Sequence, residues 1–87
     1  MTERELQTKV IHALRHVYHV KIIVASTSGH PDIIACVNGR LVALELKSDK
    51  GKLSPLQREK LKQIRRCGGY AALVSPKNYK NIVGKLL

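Results

Sequence analysis

The chain has 87 residues, with 16 Lys and Arg against 6 Asp and Glu, a formal net charge of +10 and a hydrophobic fraction of 44%. That length predicts one domain over residues 1–87 with a modest core, and no apolar run approaches the roughly 20 residues needed to span a bilayer. The charge predicts a polyanionic partner, most simply nucleic acid, while the absence of Trp and Phe disfavours a single-strand binder built on base stacking.

The first residues, "MTERELQTKV", are charged and helical in pattern, unlike a signal peptide. Thr2 caps a helix and Glu5, three residues on, completes a capping box. Leu6, Val10, Ala13, Leu14 and Val17 recur at helical spacing and define a buried stripe. The helix is expected to end near Tyr18 or His19. His12, His16 and His19 fall at spacings of four and seven, read as a polar, partly exposed face rather than converging metal ligands.

"VKIIVAS", from Val20, is rich in β-branched residues and reads as a strand, followed by a "TSGH" loop. Pro31 suits the first position of the next strand. "DIIACV" and "RLVALELK" flank Asn38-Gly39, a strong hairpin signal. "SDKGK" is a loop. Ser54, Pro55 and Gln57 start a second helix as cap, first position and box partner, and it stops at Gly68-Gly69. "YAALVS" is a fourth strand, and Ser75-Pro76 opens a last short helix, whose apolar residues Ile82, Val83, Leu86 and Leu87 are expected to be exposed and available to a partner. The order is α-β-β-β-α-β-α. Both faces of the hairpin strands are apolar, so the expected fold is an α/β sandwich, a mixed sheet covered by helices on both faces. Cys36 and Cys67 lack metal-ligand spacing and are expected to be reduced and buried, as in a cytoplasmic protein.

The hairpin register has a chemical consequence. With Asn38-Gly39 as the turn, Val37 pairs with Arg40, Cys36 with Leu41, Ile34 with Ala43, and Asp32 with Glu45. Opposed residues share a face with Cβ atoms roughly 4.5–5.5 Å apart. Two carboxylates at that range repel by about 4 kcal/mol at an effective dielectric of 20, and a hard divalent cation between them reverses the sign. Lys47, two residues after Glu45, shares that face and can position a water or steady charge on a phosphorane. A plain Glu45–Lys47 surface pair is the simpler alternative, but it leaves Asp32 unexplained. Glu3 falls on the stripe of Leu6 and Val10 and is expected to point towards the strands; the alternative is a helix-dipole role. Gln57 shares a face with Leu61 and Ile64, and can serve the site, a phosphate, or only the helix cap.

These residues resemble a known signature. Pro31-Asp32, then Glu45-Leu46-Lys47 after twelve intervening residues, is similar to the PD-(D/E)xK nuclease motif. The order of elements and the "LSPLQREKL" that follows are most similar to stand-alone VRR-NUC domains, with archaeal-type Holliday junction resolvases close in pattern. As counterpart of the valine-arginine-arginine run that names the family, the chain has "IRRCGG", Ile64 to Gly69. The resemblance implies a restriction-endonuclease-like core. It implies Mg²⁺ or Mn²⁺ held by Asp32, Glu45 and the Leu46 carbonyl, with Glu3 as a first-helix acid. Lys47 would be the catalytic lysine and Gln57 the glutamine that follows the motif. It further implies a homodimer that cuts branched DNA, with Holliday junctions the leading substrate.

Other residues stay open at this level. Lys50 and Lys52 can grip phosphates or form an ordinary solvated loop. Arg58, Lys60, Lys62, Arg65 and Arg66 give the second helix a basic outer face that suits DNA. His30 can touch DNA or metal, or be a plain loop residue. The rival functions are a nuclease of this fold acting on flaps, nicks, ends or duplex DNA, a DNA-binding module without catalysis, and a small RNA-binding protein. The last explains the charge but not the opposed acids.

Overall fold

The computed structural model describes residues 1–23 and 28–87. Seven elements follow in the expected order: α1 (Glu3–Ala13), β1 (His19–Lys21), β2 (Ile33–Val37), β3 (Arg40–Leu46), α2 (Pro55–Arg66), β4 (Tyr70–Val74) and α3 (Tyr79–Leu86). The strands form one sheet in the order β1-β2-β3-β4. The first two pairings are antiparallel and β3–β4 is parallel, joined by the α2 crossover. Part of the expected "VKIIVAS" strand and "TSGH" loop falls on residues 24–27, outside the described residues.

The hairpin forms in the register that its turn dictates. Val37 pairs with Arg40, Cys36 with Leu41 and Ile34 with Ala43. Asn38 and Gly39 both have positive φ, 51° and 77°, as a two-residue turn matching the strand twist requires.

Alternation along the strands then builds a core on each face. One face carries Ile33, Ala35, Val37, Val42, Leu44, Leu46 and Val74 against Leu6, Val10 and Leu14 of the N-terminal segment, with Tyr79, Ile82 and Leu86 alongside. The other carries Ala43 and Ala71 under Leu61 of α2, with Ile34, Leu53 and Ile64 at the margin. The sheet is thus covered from both sides, and the strongly buried run Val42–Leu46 sits at its centre.

Four expectations are corrected. First, α1 stops at Ala13, not near Tyr18. The amides of Leu14, Arg15 and Val17 donate to the carbonyls three residues back (Ile11, His12 and Leu14), so the helix unwinds through short turns. His16 and His19 therefore lie beyond it; His12 and His16 are exposed, and His19 begins β1.

Second, α3 begins at Tyr79 rather than at Pro76. The side chain of Asn78 accepts from the Ser75 N–H at 2.7 Å and donates to the Leu73 carbonyl at 3.1 Å, which holds residues 75–78 as a turn.

Third, both cysteines are exposed. Helix α2 covers β3 and β4, leaving the turn end of β2 open where Cys36 faces Leu41, itself 47% exposed. Cys67 is the C-cap of α2, at the end of the helix.

Fourth, of Ile82, Val83, Leu86 and Leu87, expected to be available for a partner, Ile82 and Leu86 pack on the chain's own core, while Leu87 is exposed. Among the described residues, no helix is long and apolar enough to cross a membrane.

Candidate active site

The end of β3 carries the chemistry. Glu45 and Lys47 lie on the α2 side of the sheet, and the loop before β2 brings Asp32 beside them. Asp32 is fixed through both its backbone and its side chain: its carbonyl accepts from the Ile22 N–H at 2.8 Å, and its Oδ2 accepts from the Leu46 N–H at 2.8 Å. Lys47 is held in line by its N–H, which donates to the Val74 carbonyl at 3.0 Å.

Glu45 is only 2% exposed, the one charged side chain in the core among the described residues. Its Oε2 lies 3.4 Å from the donating Nε2 of Gln57 and 4.0 Å from Lys47 Nζ. Its Oε1 is buried and accepts nothing. Burial pushes the Glu45 carboxyl up to about 8. Asp32 pushes the same way, by hydrogen-bonding the protonated form and repelling the charged one; Lys47 pulls down and the charge of Glu3 adds a smaller push upwards. Two carboxyl groups therefore meet, and without a cation burial and the neighbouring carboxyl favour the protonated form of Glu45.

That arrangement fits a divalent metal. The side-chain donors are carboxylate oxygens, which suit hard cations, and a buried oxygen with no donor is the atom that a cation would satisfy. The set is small. Among the described residues, no group of three or more His, Cys, Asp or Glu side chains gathers to hold a metal.

Asp32, Glu45, Lys47 and Gln57 converge as expected. Gln57 fills two of the three roles left open for it: its Oε1 accepts from the Ser54 N–H at 2.9 Å, closing the capping box, while its Nε2 faces Glu45. Leu46 contributes its backbone, and its N–H on Asp32 is a contact that motif reading did not foresee. Glu3 does not converge. It is exposed, because the buried stripe of α1 begins one turn later at Leu6, and it reaches Glu45 only through its charge.

Lys50, Lys52, Arg58 and His30 are exposed. His30 lines a groove of about 300 Å³ with Pro31, Leu41, Lys60, Gln63, Ile64 and Cys67. Two cations of the expected basic face have structural work instead: Arg65 donates twice to the Ala71 carbonyl, and Arg66 pairs with Glu59 at 3.2 Å.

Comparison with known proteins identifies the family and the fold. The family model for the VRR-NUC domain matches residues 3–77. A solved VRR-NUC domain protein superposes with a TM-score of 0.79 at 20% identity, covering 98% of this chain and 84% of that one. The Archaeoglobus fulgidus Holliday junction resolvase Hjc superposes with a TM-score of 0.50 at 30% identity, over 84% of this chain and 66% of that one. No curated protein matches the chain. With the family model spanning residues 3–77 and its fold shared with both solved structures, the chain belongs to the VRR-NUC domain family.

Proposed function

We propose that this protein is a divalent-metal-dependent endodeoxyribonuclease that hydrolyses phosphodiesters in branched DNA, four-way junctions first among them, and that it works as a homodimer in the cytoplasm. The observation that carries this reading is the meeting of Asp32 and buried Glu45 across the hairpin, with an oxygen of Glu45 left without a donor and Lys47 at 4.0 Å. The likeness to a junction resolvase supports the substrate. The net charge of +10 supports a DNA partner.

Asp32, Glu45 and the Leu46 carbonyl would hold Mg²⁺ or Mn²⁺. A residue's N–H and C=O leave a strand on the same side, so the Leu46 N–H on Asp32 supports a carbonyl turned the same way. A bound divalent ion would polarise the scissile phosphate and lower the pKa of an attacking water. Lys47 would orient that water and offset charge on the phosphorane. Gln57 would hold the Glu45 carboxylate in place from the far side. Glu3 would take part through water, and Lys50, Lys52, Arg58 and His30 would contact DNA beside the cut.

A junction is resolved by two symmetric cuts, and a two-fold dimer presents two sites in fixed relation. The chain measures 32 × 26 × 22 Å and carries one such site among the described residues, so a second copy would supply the second cut. Free cysteines suit the reducing compartment.

The test is cleavage of a labelled four-way junction with Mg²⁺ or Mn²⁺, beside flap, nicked, blunt and duplex substrates at one salt concentration. Symmetric cutting of the junction, lost in Asp32→Ala, is the expected result. Cutting that survives Asp32→Ala would remove the active site from this position.

A further inference from the structure

Lys47 has a long, flexible stem, and its ammonium must stay beside Glu45 to be of use. The contacts at its two ends are clear: the backbone N–H on Val74 and the Nζ at 4.0 Å from Glu45 Oε2. Between them, the stem lies against glycine. The chain folds back after β3 in a turn closed by Gly51 N–H donating to the Ser48 carbonyl at 2.9 Å. A Cβ at residue 51 would stand 2.9 Å from Lys47 Cβ, 3.2 Å from Lys47 Cδ and 3.3 Å from the Ser48 oxygen.

The need for glycine here is one of space. Gly51 is absent from the positive-φ glycines, which are Gly29, Gly39 and Gly68, so its backbone conformation alone is open to other residues. The first atom that a methyl group would strike is Lys47 Cβ, at the root of the side chain, where bending the flexible end brings no relief. The turn therefore reaches the candidate site through one side chain. By contrast, Gly84 on α3 has nothing within 4 Å of the same ideal Cβ.

We propose that the Ser48–Gly51 turn positions Lys47, with the Gly51 backbone as the wall against which the lysine stem is laid so that its ammonium faces Glu45. This rests on the reading of Lys47 as a catalytic residue. Gly51 itself is a positioning residue.

The experiment is single-turnover cleavage of a four-way junction with Mn²⁺ by the wild type, Gly51→Ala, Lys47→Ala, the double variant, Gly84→Ala and Asp32→Ala. Gly51→Ala is expected to lower the cleavage rate by about tenfold or more while changing the half-saturating DNA concentration less than about twofold. In the Lys47→Ala background it should have no further effect, since the two changes remove the same contribution. Gly84→Ala should cleave like the wild type.

Wild-type rates in Gly51→Ala, with Asp32→Ala inactive, overturn the positioning claim and leave the nuclease reading standing. So does an equal loss in the Lys47→Ala background, which would mark Gly51 as a general structural residue. If the wild type cuts no branched DNA, it is the nuclease reading that fails. The contact is then judged, as it would be if Gly51→Ala failed to fold, by NMR of wild-type protein carrying labelled lysine. Cross-relaxation between the Gly51 Hα and the Lys47 Hβ and Hδ protons supports the wall, and its absence overturns it.

Discussion

Gln57 donates its side-chain amide to the buried Glu45 carboxylate at 3.4 Å, while its oxygen holds the Ser54 N–H at 2.9 Å. One side chain thus bolts the start of α2 to the centre of the candidate site. The two functions are separable. Ser54→Ala should cost about 1 kcal/mol of stability through the lost cap and leave cleavage near wild type. Gln57→Ala should lose a similar amount of stability and about 10- to 100-fold in activity or metal affinity, as outer partners of ligands commonly do. Thermal melts beside cleavage rates distinguish the two; equal activities in the two variants would reduce Gln57 to a cap.

The raised carboxyl of Glu45 makes the metal-free protein sensitive to pH, and the sign is fixed. A carboxyl whose value rises from the ordinary 4.5 to about 8 on folding binds more protons in the native than in the unfolded chain between those limits. Its contribution is fully present below the unfolded value and is lost as pH rises towards the folded one. In chelator, the Tm should fall from about pH 5 to about pH 8, by about 4–8 °C for each kcal/mol lost. Glu45→Gln should flatten that slope and be the more stable protein at the alkaline end. Parallel slopes in the two proteins would remove Glu45 as the cause.

Metal should act through the same proton. A divalent ion between Asp32 and Glu45 requires both carboxylates ionised, so binding near neutral pH should release about one proton per ion. Calorimetry in two buffers of different ionisation enthalpy reads this directly. Saturation at about 100 times Kd should also stabilise the fold by about 2.7 kcal/mol, and chelator should reverse the gain. In Asp32→Ala both effects should vanish.

The cations divide into two groups that salt can tell apart. Lys50, Lys52 and Arg58 are exposed near the site, and each phosphate contact that they make should add about 0.9 to the slope of log affinity against log salt. Arg65 instead donates Nε and Nη2 to the Ala71 carbonyl, and Arg40 donates to the Gly68 and Gly69 carbonyls. Lys52→Ala should flatten the salt slope at unchanged Tm; Arg65→Ala should lower the Tm, by about 1 kcal/mol of stability, at unchanged slope. The reverse pattern would move the DNA path to the C-terminal end of α2, where Arg65 lies.

What could be read in advance was whatever short-range chemistry decides. Asn38-Gly39 sets the hairpin register within two residues; the ladder runs to Ile33–Leu44, and the residue just before it, Asp32, is held on the Leu46 N–H beside Glu45. Thr2 with Glu5 and Ser54 with Gln57 announce the helix starts because each box closes on itself. The misses lie where competition between distant parts decides. Apolar spacing continues through Leu14 and Val17, yet α1 ends at Ala13, because the core can take those side chains from a turn as well as from a helix. Cys36 alternates like a core residue but lies beyond the reach of α2. Glu3 sits on the right helical face but one turn outside the buried part. The fit of Gly51 against Lys47 has no local signature at all.

The central claim is that a divalent cation joins Asp32 and Glu45. A crystal soaked in Mn²⁺ and recorded for anomalous scattering tests it most directly. The account predicts a peak between the two carboxylates, in contact with the Glu45 Oε1 that otherwise has no donor. Manganese bound only elsewhere, with none between Asp32 and Glu45, would contradict it.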